Sequence, residues 1–353
     1  MIQKAGEFEA RARLIRLANE LVLKRPDLNI LCKHPKHEYS ILTESLEHLL
    51  HEREARGKLF LPNLSAFGND AIGIFSDYSG EGSGNYHAYS VLACGFRFTG
   101  AFGEKVRGIR ERFRLGTKEI AFKDFRMGQV RASLPEYLGA ADTMPGFLCT
   151  VVVDKRITTL FGPQDRETSL KLVHLLEEIG LGKWKAAQAE KLLRIAHMVA
   201  FLIVLLAGDG QKIFWMSDND EICPDAERHR AMLALLERIL SIYAHPGVTF
   251  PLLGGALPFA PRSVEMNDLL SLADIVAGTV ADYMSKRDRQ REKEIVVKAG
   301  AERVLGFLAQ DGIGLKKATF IIRLDPEGTI ERGTIEFSLV NPPRDLTTVP
   351  IFA

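Results

Sequence analysis

At 353 residues, 46% hydrophobic and 26% charged, the chain has the apolar content to bury a substantial core, in one large domain with additions or in two. Its 46 Lys and Arg against 45 Asp and Glu give a formal net charge of +1, which excludes a globally basic coat, so a surface for a polyanion has to be local. Four cysteines without a CxxC pair (Cys32, Cys94, Cys149 and Cys223) fit reduced thiols inside a cell better than a disulfide framework.

The opening stretch, MIQKAGEFEARARLIRLANEL, lacks the apolar core and small-residue cleavage site of a signal peptide. The most apolar segment, Ile195 to Ala207, is short for a bilayer and contains His197. A cytoplasmic protein with no membrane partner is expected. Residues 1–65 read as a helical N-terminal extension. Phe8, Leu14, Leu17, Leu21 and Val22 recur at helical spacing, and Leu42, Leu46, Leu49 and Leu50 line one face of a second helix over Ser40 to Arg56. Cys32, His34, His37, His48 and His51 lie nearby but complete no standard zinc spacing.

Residues 66–285 read as an α/β domain. The run Ala71 to Phe75 ends in Ser76 and Asp77; a glycine-rich turn and a second apolar run, Ala88 to Phe96, complete a hairpin signal. The charged segment Glu104 to Arg114 leads to Glu119, a short helix is expected over Val130 to Leu138, and the β-branched run Leu148 to Lys155 ends in Asp154. Helices are expected over Thr168 to Ile179, Lys185 to Ala207, Asp225 to Tyr243 and Asn267 to Tyr283, with a strand at Lys212 to Met216 followed by Asp218. Residues 286–353 read as an addition, with a charged segment continuing as a helix to Gln310. A hairpin of Ala318 to Leu324 and Thr334 to Val340 follows, joined through Asp325-Pro326-Glu327-Gly328.

Asp77, Asp154 and Asp218 each end or closely follow a strand-like run, and the crevice of an α/β sheet lies beyond the carboxyl ends of its parallel strands. Asp274 is a lone acid in a helix that is otherwise apolar over Leu269 to Val280, and Glu119 is a further contributor. Carboxylates that converge repel one another unless cations neutralise them, and hard oxygen donors select Mg2+ or Mn2+. Two such ions suit phosphodiester hydrolysis. Gly80 to Gly84 lacks the Lys-Ser/Thr of a phosphate-binding loop, and His87 reads as a proton-transfer group or as a plain turn histidine. Arg107, Arg110, Arg112, Arg114, Lys118, Lys123 and Arg126 form either a phosphate-contacting surface around Glu119 or a solvated charged face.

Three motifs, Asp77-Tyr78-Ser79-Gly80, Val152-Val153-Asp154-Lys155 and Leu270-Ser271-Leu272-Ala273-Asp274-Ile275-Val276-Ala277-Gly278, resemble in this order the DUF3800 family of bacterial proteins. Glu119-Ile120-Ala121 approaches that family's Glu-Leu-Lys segment, and Asp218 its later strand-end Asp. Tyr78, Ala121 and Ser271 stand where the family has Glu, Lys and Gln. The likeness spans roughly residues 70 to 285. It implies a ribonuclease-H-like mixed sheet flanked by helices, carrying the two terminal additions. It further implies a metal-dependent nuclease acting on DNA or RNA, with Asp77, Glu119, Asp154 and Asp274 catalytic, holding Mg2+ or Mn2+, and Asp218 a further metal ligand. The alternative is a catalytically degenerate component of a bacterial defence or mobile-element system that binds nucleic acid or protein. The extensions suit a protein partner or a homo-oligomer.

Overall fold

A mixed seven-stranded sheet carries the fold in this computed structural model, which describes residues 23–24, 26–29, 31–32, 39–258, 264–289 and 295–338. In chain order its strands are β1 (Ala71–Ser79), β2 (Tyr86–Gly95), β3 (Gly146–Asp154), β4 (Lys212–Ser217), β5 (Leu253–Gly255), β6 (Leu315–Leu324) and β7 (Ile330–Thr334). Their spatial order is β5-β4-β1-β2-β3-β6-β7. β1, β2 and β3 form an antiparallel meander, β4 runs parallel to β1 and β5 parallel to β4. On the other side β6 is parallel to β3, and β7 turns back antiparallel to β6.

The described residues also form eight α-helices: α1 (Ile41–Ala55), α2 (Thr99–Arg112), α3 (Gly128–Asp142), α4 (Arg166–Glu178), α5 (Ala186–Leu206), α6 (Ala226–Tyr243), α7 (Val264–Arg289) and α8 (Ala301–Leu308). Local chemistry sets several starts. Ser40, Asp165 and Asp225 accept hydrogen bonds from backbone N–H groups of the first turns of α1, α4 and α6, at 3.2, 2.7 and 2.8–3.0 Å. Gly300, in the left-handed region at φ 99°, precedes α8, which ends at Leu308, two residues short of the expected Gln310.

Strand alternation divides the core in two. Ile72, Ile74, Tyr78, Val91, Val151 and Trp215 face α1, α5 and α6. Phe75, Leu92, Leu148, Val152 and Met216 face α2, α3, α7 and α8. Because both faces of β1 are covered, its seven residues Ile72 to Tyr78 are all buried, which is why the run reads as apolar rather than alternating. α5 is apolar around most of its circumference for the same reason.

The terminal segments are woven into this frame. α1 seats Leu42, Leu46, Leu49 and Leu50 in the α5–α6 core, and Thr43 Oγ1 reaches the Tyr243 hydroxyl at 2.6 Å. That hydroxyl also meets His197 Nδ1 at 2.5 Å, and burial pushes the imidazole down to about 3, so it stays neutral. The C-terminal hairpin extends the sheet at the β3 edge. Its second strand is Ile330–Thr334, earlier than the expected Thr334 to Val340, because the Asp325–Gly328 turn closes directly onto the Leu324–Ile330 pair. The helix expected around Phe8 to Val22, and His34 and His37, lie outside the described residues. His48 and His51 are exposed on α1 beside Glu52 and Glu54, at 3.6 and 3.8 Å. Among the described residues no helix is long and apolar enough to cross a membrane.

Tyr243→Phe removes the hydroxyl that joins α1, α5 and α6 and leaves His197 Nδ1 without its partner. A loss of about 1–3 kcal/mol in urea unfolding is expected; an unchanged midpoint would mean that the bridge contributes nothing.

Candidate active site

The parallel pairing of β1 with β4 decides which acids meet. Ser76 is paired with Ser217, and the Asp218 N–H continues the ladder by donating to the Ser76 carbonyl at 3.0 Å. The next residues on the two strands, Asp77 and Asp218, therefore emerge side by side. Alternation turns both toward α7, while Ser76, Tyr78 and Ser217 point to the opposite face. Asp77 is 5% exposed and takes the Tyr78 N–H at 2.6 Å.

α7 crosses β1 and β2 closely because small residues line its inner side: Ala277 and Ala281 pack on Ala88. Asp274 is the single residue between Leu269 and Val280 that is not fully buried. One turn later, a Cβ on Gly278 would come within 2.4 Å of the Phe122 ring, so glycine is what admits the 3-10 turn Phe122–Arg126 against the helix. That turn donates the Phe122 N–H to Asp274 Oδ2 at 2.7 Å. It also carries in Glu119, whose Oε2 lies 3.1 Å from the exposed Lys123 ammonium.

Four acids from four segments thus share one place, with Asp77 as the buried floor and Glu119, Asp218 and Asp274 partly open to solvent. Burial raises the Asp77 carboxyl well above its ordinary range, and Asp274, Asp218 and Glu119 push it the same way. Burial lifts Asp274 to about 7 against the Phe122 hydrogen bond, with Glu119 and Asp218 adding to the rise. Asp218 is also raised, first by burial. Lys123 and Lys298 are cations within electrostatic reach of Asp274, at the margin of the group. The donor set is all carboxylate and short of positive charge. That chemistry fits hard divalent cations such as Mg2+ or Mn2+.

The structure puts Asp154 elsewhere. Asp77 is level with Ser90 on β2 and Thr150 on β3, so Asp154 lies two strands across and four residues further along, about 13 Å at ~3.3 Å per residue. Arg156 occupies it, with Nη2 2.7 Å from Oδ2. Burial would raise this carboxyl, yet the Arg156 bonds outweigh it and hold the group below the ordinary range. The strand-end acid beside Asp77 is Asp218, because β4 is the parallel neighbour of β1 and β3 is not. His87 is on the opposite face of the sheet from Asp77, where burial and the nearby Arg194, Lys155 and Lys191 push it down to about 4.

Much of the basic run serves the fold. Arg110 grips the Asp268 carboxylate and donates to the Lys118 carbonyl at 2.7 Å, which anchors the loop that leads to Glu119. Arg112 pairs with Glu136 at 2.5 Å, and Lys118 lies 3.5 Å from Asp124.

A second acidic group, absent from the sequence reading, lies behind the first. Oxygens of Glu81, Asp220 and Glu221 approach within 4.8 Å of one another, a closer set than the Asp77 group forms. Here the cation is already supplied by the chain. Lys191 of α5 bonds Glu81, sits 2.5 Å from Asp220 and lies 3.8 Å from Glu221.

Asp274 binds its proton more tightly in the folded chain than at the ordinary value of 3.8, so stability falls as pH rises from about 4 toward 7. Asp274→Asn should therefore be more stable than wild type at pH 8 in EDTA, by on the order of 1–3 kcal/mol, with the gain vanishing near pH 4. Urea melts at the two pH values check this, and a less stable variant at pH 8 would contradict the mutual repulsion. Gly278→Ala carries a diagnostic sign. In an ordinary helix interior the change stabilises by up to about 1 kcal/mol, whereas the clash with Phe122 predicts a loss of about 1–3 kcal/mol in thermal unfolding.

No family model, curated protein or solved structure matches the chain.

Proposed function

We propose that the chain is a Mg2+- or Mn2+-dependent nuclease of ribonuclease-H-like fold that hydrolyses phosphodiester bonds of DNA or RNA. One observation carries the reading: Asp77, Asp218, Asp274 and Glu119 converge where the parallel pairing of β1 with β4 ends, the last three partly open to solvent and the group short of cations. The resemblance implies a succession of hairpin, acid, strand-end acid and helix acid, with Asp77, Glu119, Asp154 and Asp274 in those places; the present reading keeps Asp77, Glu119 and Asp274. In this reading Asp218 takes the role first given to Asp154.

Asp77, Asp218, Asp274 and Glu119 would hold the ions, with Asp77 between its neighbours. When bound, a divalent pair supplies activation of the attacking water and stabilisation of the departing 3′-oxygen. The chain's own groups do the positioning. The Phe122 N–H fixes one Asp274 oxygen, and the carbonyls of Phe122 and Lys123 accept from Lys298 Nζ at 2.7 and 3.2 Å. Lys123 and Lys298 thereby place positive charge beside the acids, where the phosphodiester backbone of a substrate would lie. A second reading, a binding component without catalysis, draws on the wider spacing of these carboxylates compared with the Glu81 group.

Labelled single- and double-stranded DNA and RNA, incubated with Mg2+ or Mn2+ and with EDTA, separate the two. Cleavage is expected only with the ions. Asp77→Asn and Asp274→Asn should each lower the rate by about 10²-fold or more, and Asp154→Asn should stay within about threefold. Binding without cleavage under any ion favours the second reading, and loss of activity on Asp154→Asn alone would move the site to β3.

A further inference from the structure

The face of β1 and β4 opposite the acids holds a compact network that no step of the proposed hydrolysis uses. Lys191 lies on α5 with its side chain 11% exposed. Its ammonium bonds Glu81, from the turn after β1, and Asp220, from the loop after β4, at 2.5 Å in the second case. It also sits 4.4 Å from the centre of the Tyr78 ring. The Tyr78 hydroxyl meets Ser217 Oγ at 2.9 Å and donates to Asp220 Oδ1 at 3.3 Å. Asp220 Oδ1 also accepts the Ile222 N–H at 2.9 Å, which fixes the loop itself.

The sequence positions give this network its meaning. Tyr78 follows Asp77 and Ser217 precedes Asp218, so these two of the four acids are each backbone-adjacent to a network member on the other face. A strand backbone that is held at one residue also has its neighbour's direction held. We infer that Lys191 is a positioning residue: by joining the Glu81 turn to the Asp220 loop across Tyr78, it sets the relative placement of Asp77 and Asp218.

Three features support a built clamp over an incidental ion pair. Burying an ammonium is costly unless it is paired, and Lys191 is paired on both sides. Burial works against its charge, and the bonds to Asp220 and Glu81 outweigh this and hold it above the ordinary lysine range. The turn it anchors is pinned elsewhere as well. Lys155 Nζ donates to the Gly82 carbonyl at 2.6 Å, and the Asn85 N–H donates to Ser285 Oγ of α7 at 3.1 Å.

The inference borrows its consequence for metal affinity from the nuclease reading, while its structural claim stands without it. Two readouts on the full chain test it. The first is amide hydrogen exchange over residues 76–86 and 216–222; the second is the Mn2+ concentration for half-maximal cleavage of the oligonucleotide. Lys191→Met should raise exchange in both segments together and raise the half-saturating Mn2+ about tenfold, with the KM for oligonucleotide held within about twofold. Lys191→Arg, which keeps the charge, should restore both. Unchanged exchange in both segments of folded Lys191→Met overturns the inference, as does a rise confined to the oligonucleotide KM. Should Lys191→Met fail to fold, Glu81→Gln, which alters an exposed side chain, decides in its place; no change in either segment overturns the inference. If the wild-type chain cleaves nothing with any ion, the nuclease reading fails and the exchange data alone decide the role of Lys191.

Discussion

Carboxyl groups are buried at the ends of β1 and β4 with cations, among the described residues, only at their margin, and the surrounding architecture is what keeps them there. Desolvation alone costs an isolated carboxylate enough to shift its protonation, and three neighbours of like charge add to that cost at Asp77. A fold retains such an arrangement only if the rest of the core outweighs it. Here both faces of the sheet are covered, with fully buried Phe75 and Trp215 on the two strands concerned. Each large apolar side chain contributes about 1.5–3 kcal/mol on burial, so a handful of them offsets the strain at the acids. The cost is localised and the compensation is spread through the core.

Strand alternation then builds two opposite solutions to one problem on the two faces of the same strands. On the α7 face the acids are spread, with Asp77 buried, its three neighbours partly open to solvent, and cations only at the margin. On the α5 face three acids are drawn together around Lys191, whose ammonium offsets part of their charge from within the chain. An ammonium bonded among carboxylates competes with an external cation for their oxygens. The Glu81 group is therefore the tighter cluster and the poorer candidate for a bound ion, because a lysine ammonium already fills its centre.

The elements of the sheet were readable where one strand's own residues decide its state. The hairpin of β1 and β2 follows from two apolar runs around a glycine-rich turn, and α7 from its apolar length with one acid in it. Asp77 and Asp274 stood out for the same reason. Strand order was not readable. Asp154 and Asp218 each follow a β-branched or aromatic run, and nothing local says which run pairs with β1. That choice rests on long-range pairing, in which β2 separates β3 from β1 while α5 returns the chain to place β4 beside it. Lys191 was hidden differently. On a 21-residue helix dominated by Leu, Ile, Val and Ala, a lysine reads as the solvent edge, and only the fold reveals that its head turns inward toward Glu81 and Asp220.

Tyr78 illustrates how the two faces constrain each other. On the resemblance read from the sequence, Glu is the expected residue here, directly after the strand-end Asp, and tyrosine in its place at first suggests a damaged site. Residue 78 points away from the acids, toward α5, where a carboxylate would become a fourth acid around one ammonium. Tyrosine changes that balance. Its ring faces the Lys191 ammonium, and its hydroxyl bridges Ser217 and Asp220, so it contributes cohesion without adding charge. The departure belongs to the network that holds the strand ends. The four carboxylates on the α7 face keep their own surroundings, with Asp77 held by the backbone N–H of this same tyrosine.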